Sequence, residues 1–178
     1  MSRLYLDFFY CHSITEMLLW GLLLVILWML FAIFSNWNNK TKEWIWMNRV
    51  LLAATVIFVL YWTVGKRNGS GEREASLIPF YSLFAGIEQP ERFRSLVANI
   101  LLFVPVGLAG PFVFDSIHLC RPVQYTIIVG MALSVWIESL QYLFSLGLFE
   151  TDDIIFNTLG TATGCLAYVI ARAVERSG

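Results

Sequence analysis

Three carboxylates stand together in "FETDDIIFNTLGTATG" (149–164): Glu150, Asp152 and Asp153, set directly against an apolar run that also carries Asn157. A fourth, Glu138, sits inside "MALSVWIESLQYLF" (131–144), with Gln141 three residues further on. Such groups can do three kinds of chemistry. They can move a proton as a general acid or base, they can hold a divalent cation, or they can accept hydrogen bonds from a ligand or a neighbouring helix. A charge at the centre of a bilayer costs about 2.5–3.5 kcal/mol on insertion scales. Glu138 therefore demands a partner, a ligand or a neutralising proton.

The spacing sorts these residues onto faces. Ser134, Glu138 and Gln141 follow i, i+4, i+7 and share one side of a helix. Asp153, Asn157, Gly160 and Gly164 follow i, i+4, i+7, i+11, and Gly160-x-x-x-Gly164 lets a second helix approach closely. Asn99 opens "NILLFVPVG" (99–107) on a further apolar stretch. These patterns predict that Asn99, Glu138, Gln141, Asp153 and Asn157 converge in the outer half of a helix bundle, with Asp152 beside them as part of a candidate ligand pocket. A plainer reading stands next to it. Asn99 and Asn157 could bond between helices, and Thr151 could cap a helix. Asp152 and Asp153 would then be favoured by the helix dipole by about 0.3–1 kcal/mol each, and Glu150 would be solvated.

Signals for established chemistries are missing. There is no HExxH, no P-loop and no paired nucleophile and base, and an Asp-Asp pair alone is a weak metal signal. Neither a cofactor nor a metal is expected. Cys11, Cys120 and Cys165 are far apart with no CxxC, and each reads as a free thiol in apolar surroundings. His12 and His118 are isolated and read as polar residues at a membrane interface.

The elements that must position these groups are membrane helices. The 178 residues are 58% hydrophobic and only 14% charged, with a mean hydropathy of +0.67. A soluble domain carries about a quarter charged residues. The net charge of −1 offers no basic surface for nucleic acid. Crossing a bilayer takes about 20 apolar residues, and five stretches qualify: 17–39, 44–64, 95–114, 123–144 and 154–171. The fold class is thus an all-α polytopic membrane bundle of about five transmembrane helices. The third span contains Pro105, Gly107 and Pro111, which predict a kink or a break. "GKRNGSGERE" (65–74) reads as a flexible loop. "SLIPFYSLFAGI" (76–87) is too short to cross and reads as a surface-lying or re-entrant flap. Pro90 in "QPER" suits the first position of a helix.

Five spans place the termini on opposite sides. Arg3, Lys66, Arg67, Arg73, Arg92 and Arg94 fall on one side, and Lys40, Lys42, Arg49, Arg121, Arg172 and Arg176 on the other. With the long 65–94 loop set aside, the bias favours a cytoplasmic C terminus and an outside N terminus. The 65–94 and 145–153 loops then share the outer face.

The order "SLIPF" (76–80), "NILLFVPVG" (99–107), "SVWIESLQ" (134–141) and "FETDDIIFNTLGTATG" (149–164) resembles the VanZ-like family, named for a teicoplanin-resistance protein. Four motifs in order make the likeness specific over about residues 50–172. The resemblance implies a small multi-pass protein of the bacterial cytoplasmic membrane, linked to lipoglycopeptide resistance or envelope function. It brings no established catalytic mechanism. The positions matching its motifs are Pro79 and Phe80; Asn99, Phe103, Pro105 and Gly107; Glu138 and Gln141; and Asp152, Asp153, Asn157 and Gly160, with Gly164 supporting. Many members carry an arginine before the acidic motif, and "SLGLFE" has none. The expected organisation is an N-terminal segment (1–49) with an added span and cytoplasmic loop, a four-helix family domain (50–172) and a short tail (173–178). The favoured function is engagement of a lipid-linked cell-wall precursor or a lipoglycopeptide in the bilayer. An intramembrane enzyme acting on a lipid-linked substrate and a small proton-linked transporter are the alternatives.

Overall fold

The computed structural model describes residues 42–65, 75–85 and 90–177, together with the single positions 19, 22, 23 and 26. Most of the first expected span, Cys11, His12 and the 66–74 stretch lie outside the described residues. Within them, the chain runs α1 (Lys42–Leu60), a π-helical turn (Tyr61–Gly65), β1 (Ala75–Ser76), α2 (Tyr81–Ala85), α3 (Pro90–Ser116), α4 (Pro122–Leu143), β2 (Phe149–Glu150) and α5 (Thr151–Ser177). Four of these helices are long and apolar enough to cross a membrane: Lys42–Gly65, Arg92–Ser116, Pro122–Leu143 and Thr151–Val174. They correspond to the four later spans expected from the sequence, each within a few residues of its predicted ends.

The bundle closes around α3, whose window is the most buried of the four. Its contact with α5 is backbone on backbone. A Cβ built on Gly107 would strike the Thr161 carbonyl, one on Gly160 the Ile100 carbonyl, and one on Gly164 the Val104 carbonyl. Small residues are what allow such an approach, and in lipid the close packing supplies the association energy that hydrophobic burial cannot. Of the kink or break expected in the third span, the break does not occur: α3 runs unbroken through Pro105 and Pro111. Proline removes one helical hydrogen bond and crowds the preceding turn, at about 3 kcal/mol in an isolated helix. Two residues beyond Pro105, the α5 backbone lies directly against Gly107.

Apolar side chains fill the remaining space. Phe103 is fully buried among Val59, Leu102, Val106 and Ile137, joining α1, α3 and α4. Trp44 meets Phe112 edge-on at 5.4 Å, and Phe112 meets Tyr168 at 5.0 Å, which ties α1, α3 and α5 at the other end. Polar side chains inside the helices turn back on their own backbone, as lipid requires. Asn48 donates to the Trp44 carbonyl, Thr55 to Leu51 and Thr126 to Pro122. Large apolar residues such as Ile57, Ile128, Trp136, Leu166 and Ile170 stay exposed around the outside, where a bilayer would meet them.

Two features were not expected. The flap contains a two-residue strand, β1, which pairs in parallel with β2, setting Ala75 opposite Phe149 and Ser76 opposite Glu150. The bridge joins two loops that the sequence treats separately. The second concerns the thiols. Cys165 is buried, but Cys120 is exposed in the turn between α3 and α4, not in apolar surroundings.

Candidate functional site

The flap, the start of α5 and the end of α4 meet at one end of the bundle. Asp152 is only 2% exposed. Its Oδ1 accepts the backbone N–H of Phe80 at 2.5 Å, and its Oδ2 accepts that of Ser82 at 2.7 Å. The Ser82 hydroxyl donates to Glu150 Oε2 at 3.0 Å. The Glu150 backbone N–H donates in turn to Glu138 Oε2, also at 3.0 Å. Three carboxylates thus form a ladder: Glu138 on α4 holds β2, while Glu150 on β2 and Asp152 on α5 hold the flap. Hydrogen bonds to charged groups contribute about 1.5–3 kcal/mol each when buried, so the Asp152 pair is the strongest single tie on the flap.

The flap backbone is shaped to meet that carboxylate. Pro79 and Phe80 occupy the two central positions of a turn closed by Tyr81 N–H to the Ile78 carbonyl at 3.4 Å. Proline presets the first of them. Phe80 takes φ of 63°, a left-handed conformation that costs an L-residue about 1–2 kcal/mol. Such strain persists only where surrounding contacts over-determine it. The two hydrogen bonds to Asp152 are that constraint. Pro79 and Phe80 therefore act through the backbone turn that they build, while the Phe80 ring remains exposed.

Gln141 and Asn157 lie at successive depths below this end. Gln141 is buried, and its Nε2 donates to the Thr63 carbonyl in the π-helical turn at 3.2 Å. Asn157 Nδ2 donates to Ser134 Oγ at 2.8 Å, with both residues buried. Thr161 donates back to the Asn157 carbonyl. Two buried polar atoms have no hydrogen-bond partner among the described residues: Asn99 Nδ2 and Asn157 Oδ1. One is a donor on α3 and the other an acceptor on α5. Native interiors leave few such atoms unmatched.

The sequence residues thus fall into two tiers and not one cluster. Glu138, Gln141 and Asp152 belong to the tier that fixes the flap, the loop and the end of α1. Asn99 and Asn157 belong to the deeper tier between α3, α4 and α5. Ser134, Glu138 and Gln141 share the buried face of α4, as their spacing requires. On α5 the buried face runs through Asp152, Asn157, Gly160, Thr161 and Gly164, while Asp153 is half-buried. The expected face thus keeps Asn157, Gly160 and Gly164 and differs only at its first turn, where Asp152, bonded to the flap, is buried in place of Asp153. Glu150, expected to be solvated, is half-buried and bonded to Ser82. Ser82 and Thr63 were not anticipated. Ser82 is a small polar residue in an aromatic run, a weak signal. Thr63 contributes only a carbonyl, which leaves no trace in sequence. Among the described residues, no group of three His, Cys, Asp or Glu side chains is placed to hold a metal ion.

Outside the carboxylate ladder the flap is apolar and bare. Leu77, Ile78 and Phe84 are each about two-thirds exposed, with Phe80, Tyr81 and Phe93 close to half. Arg92 sits over the Tyr81 ring at 5.6 Å, so this aromatic surface has a cation at its edge.

Four apolar helices around a glycine-packed centre, with polar groups gathered between them, define a multi-pass membrane helix bundle. The profile of the family described as VanZ/LLP1 matches residues 18–172, and the chain belongs to the VanZ-like family. The match begins within the first expected span and takes in all four described spanning helices. The chain is also similar to Protein VanZ of Enterococcus faecium, at 26% identity over 119 residues, covering 67% of each chain. No solved structure matches it.

Proposed function

We propose that the protein binds a lipophilic or lipid-linked envelope ligand on the aromatic flap, at the outer face of the bacterial cytoplasmic membrane, and that this underlies a role in teicoplanin-type lipoglycopeptide resistance. The observation that carries this reading is the contrast within one short segment. The backbone of residues 80–82 is pinned to the buried Asp152 carboxylate, while the side chains around it are left exposed. A soluble surface would not expose so many large apolar groups together. An acyl chain or lipid tail could lie along Leu77, Ile78, Phe80 and Phe84, with Arg92 at the edge for an anionic headgroup. In this reading Asp152, Glu138 and Gln141 hold the surface in shape. Asn157 Oδ1 and Asn99 Nδ2 supply polar atoms for a group that reaches between the helices. Asp153, half-buried at the start of α5, completes the acidic rim.

The orientation is part of the proposal. Lys42, Arg49, Arg121, Arg172 and Arg176 all lie at the end opposite the flap, which the positive-inside tendency would make cytoplasmic. The C terminus then lies inside, the N terminus outside, and the flap faces out. Labelling of single cysteines at Ser70 and Asn39 checks this: Ser70 is expected to react with an impermeant reagent added to intact cells, and Asn39 not.

The function is tested by expressing the protein in a susceptible Gram-positive host and measuring inhibition by teicoplanin and vancomycin. The expected result is a raised inhibitory concentration for teicoplanin, lost in Glu138→Gln and Asp152→Asn at normal membrane levels. No change for either drug would remove the resistance reading.

A further inference from the structure

A second site lies at the opposite end of the bundle. The turn between α3 and α4 and the last turns of α5 enclose an open cavity of about 1070 Å³. Among the described residues that line it are three arginines, Arg121, Arg172 and Arg176, and one carboxylate, Asp115. The described lining is therefore net positive, and the arginines are not equivalent. Arg172 is committed: it forms an ion pair with Asp115, donates from Nε to the Tyr168 hydroxyl at 3.1 Å, and lies over the Tyr168 ring at 5.3 Å. Arg121 is exposed and donates to the neutral Gln124 side chain at 3.3 Å. Arg176 is exposed on the last turn of α5.

The start of α4 opens on the same space. Arg121 is its N-cap, no side chain caps the helix, and Pro122, Val123 and Gln124 line the cavity. An uncapped helix N-terminus presents backbone N–H groups and the positive end of the helix dipole, which favour an anion. Arg121, Arg176 and the first-turn N–H groups of Val123 and Gln124 border one space, and the ligand chemistry that matches them is the phosphate group. The cavity lies at the ends of the α3, α4 and α5 spans, and Tyr168 and Val169 form part of its wall. Basic pockets between membrane helices at the cytoplasmic side are suited to anionic headgroups.

We propose that this cavity binds the phosphate of an anionic membrane lipid, with Arg121, Arg176 and the first turn of α4 as the binding groups and the Arg172–Asp115 pair as their fixed wall. The site is separate from the flap, and only its placement at the cytoplasmic side rests on the orientation proposed above.

Cys120 is exposed and lines the cavity, so it reports on occupancy. The full-length protein carrying Cys11→Ser is placed in nanodiscs, and the rate of Cys120 alkylation by a neutral maleimide is measured. The expected result is a rate at least fivefold slower in phosphatidylglycerol than in phosphatidylcholine discs, with the difference abolished in Arg121→Gln/Arg176→Gln. Both arginines are exposed, so the double variant keeps the fold, which near-identical thermal unfolding would verify. Equal rates in the two lipids, or protection that persists in the double variant, would overturn the proposal. Protection by inorganic phosphate in detergent, equal to that by phosphatidylglycerol, would overturn the lipid assignment and leave a free-phosphate site.

Discussion

The two ends of this bundle use charge in opposite ways. At the flap end, carboxylates are turned inward, Asp152 and Glu138 buried and Glu150 half-buried, with Asp152 on two backbone N–H groups, Glu138 on a third and Glu150 on a hydroxyl. At the other end, arginines line an open cavity, and among the described residues Arg172 is tied down by an ion pair with Asp115. The same four helices supply both ends. The difference teaches that a charge near a membrane helix is read by its partners more than by its sign. Carboxylates that accept from backbone fix a shape, whereas guanidinium groups facing open space are available to recruit an anion.

That contrast can be broken at several points, and the largest effect is expected at the joint on which both ends depend. Gly160→Val would drive a side chain into the Ile100 carbonyl, where even a Cβ does not fit. Overpacking costs about 1–3 kcal/mol where neighbours can shift, and backbone cannot shift cheaply. Loss of most folded protein from membranes, read by detergent gel filtration, is the expected outcome, and a normal elution profile would contradict the tight α3–α5 contact. Asp152→Ala is expected to act on one end only. It leaves two N–H groups without their acceptor, at about 1–3 kcal/mol for each buried group. Hydrogen exchange across residues 78–85 should accelerate at least tenfold while the cavity around Arg121 is unchanged. Equal acceleration at both ends would dissolve the distinction.

Phe80→Gly separates shape from surface. Glycine accepts positive φ without strain, so the turn and its bonds to Asp152 should survive with stability within about 1 kcal/mol of the parent. The lost ring should nonetheless weaken the teicoplanin phenotype, and full retention would show that the exposed ring is not a contact. The smallest effect is expected from Leu143→Ala, on a residue more than half exposed at the end of α4. A change within about 0.5 kcal/mol in thermal unfolding is expected there.

Much of the fold is legible in sequence because membrane spanning leaves a strong signature. Four apolar stretches map onto four helices, and the small residues at 160 and 164 mark a close helix contact. The site is only partly legible. Glu138 and Gln141 follow from their spacing on α4. The choice between Asp152 and Asp153 does not, since the two differ by one helical step and the docked flap decides which is buried. A bridge two residues long between β1 and β2 has no periodicity to detect, and its partners are more than 70 positions apart. Pro105 leaves a kink or a break open, and the unbroken α3 decides against the break.

The most direct test of the pinned aromatic surface is photocrosslinking in living cells. Benzoyl-phenylalanine would be placed at Phe84 on the flap and, separately, at Ile170 on the outer face of α5, both strongly exposed. Mass spectrometry of the adducts should find a lipid-linked envelope component or, in treated cells, teicoplanin attached at position 84. Position 170 should yield only bulk phospholipid, and Asp152→Ala should abolish the specific adduct at position 84. Identical phospholipid adducts at both positions, unaffected by Asp152→Ala, would contradict the claim that the flap is a ligand-binding surface.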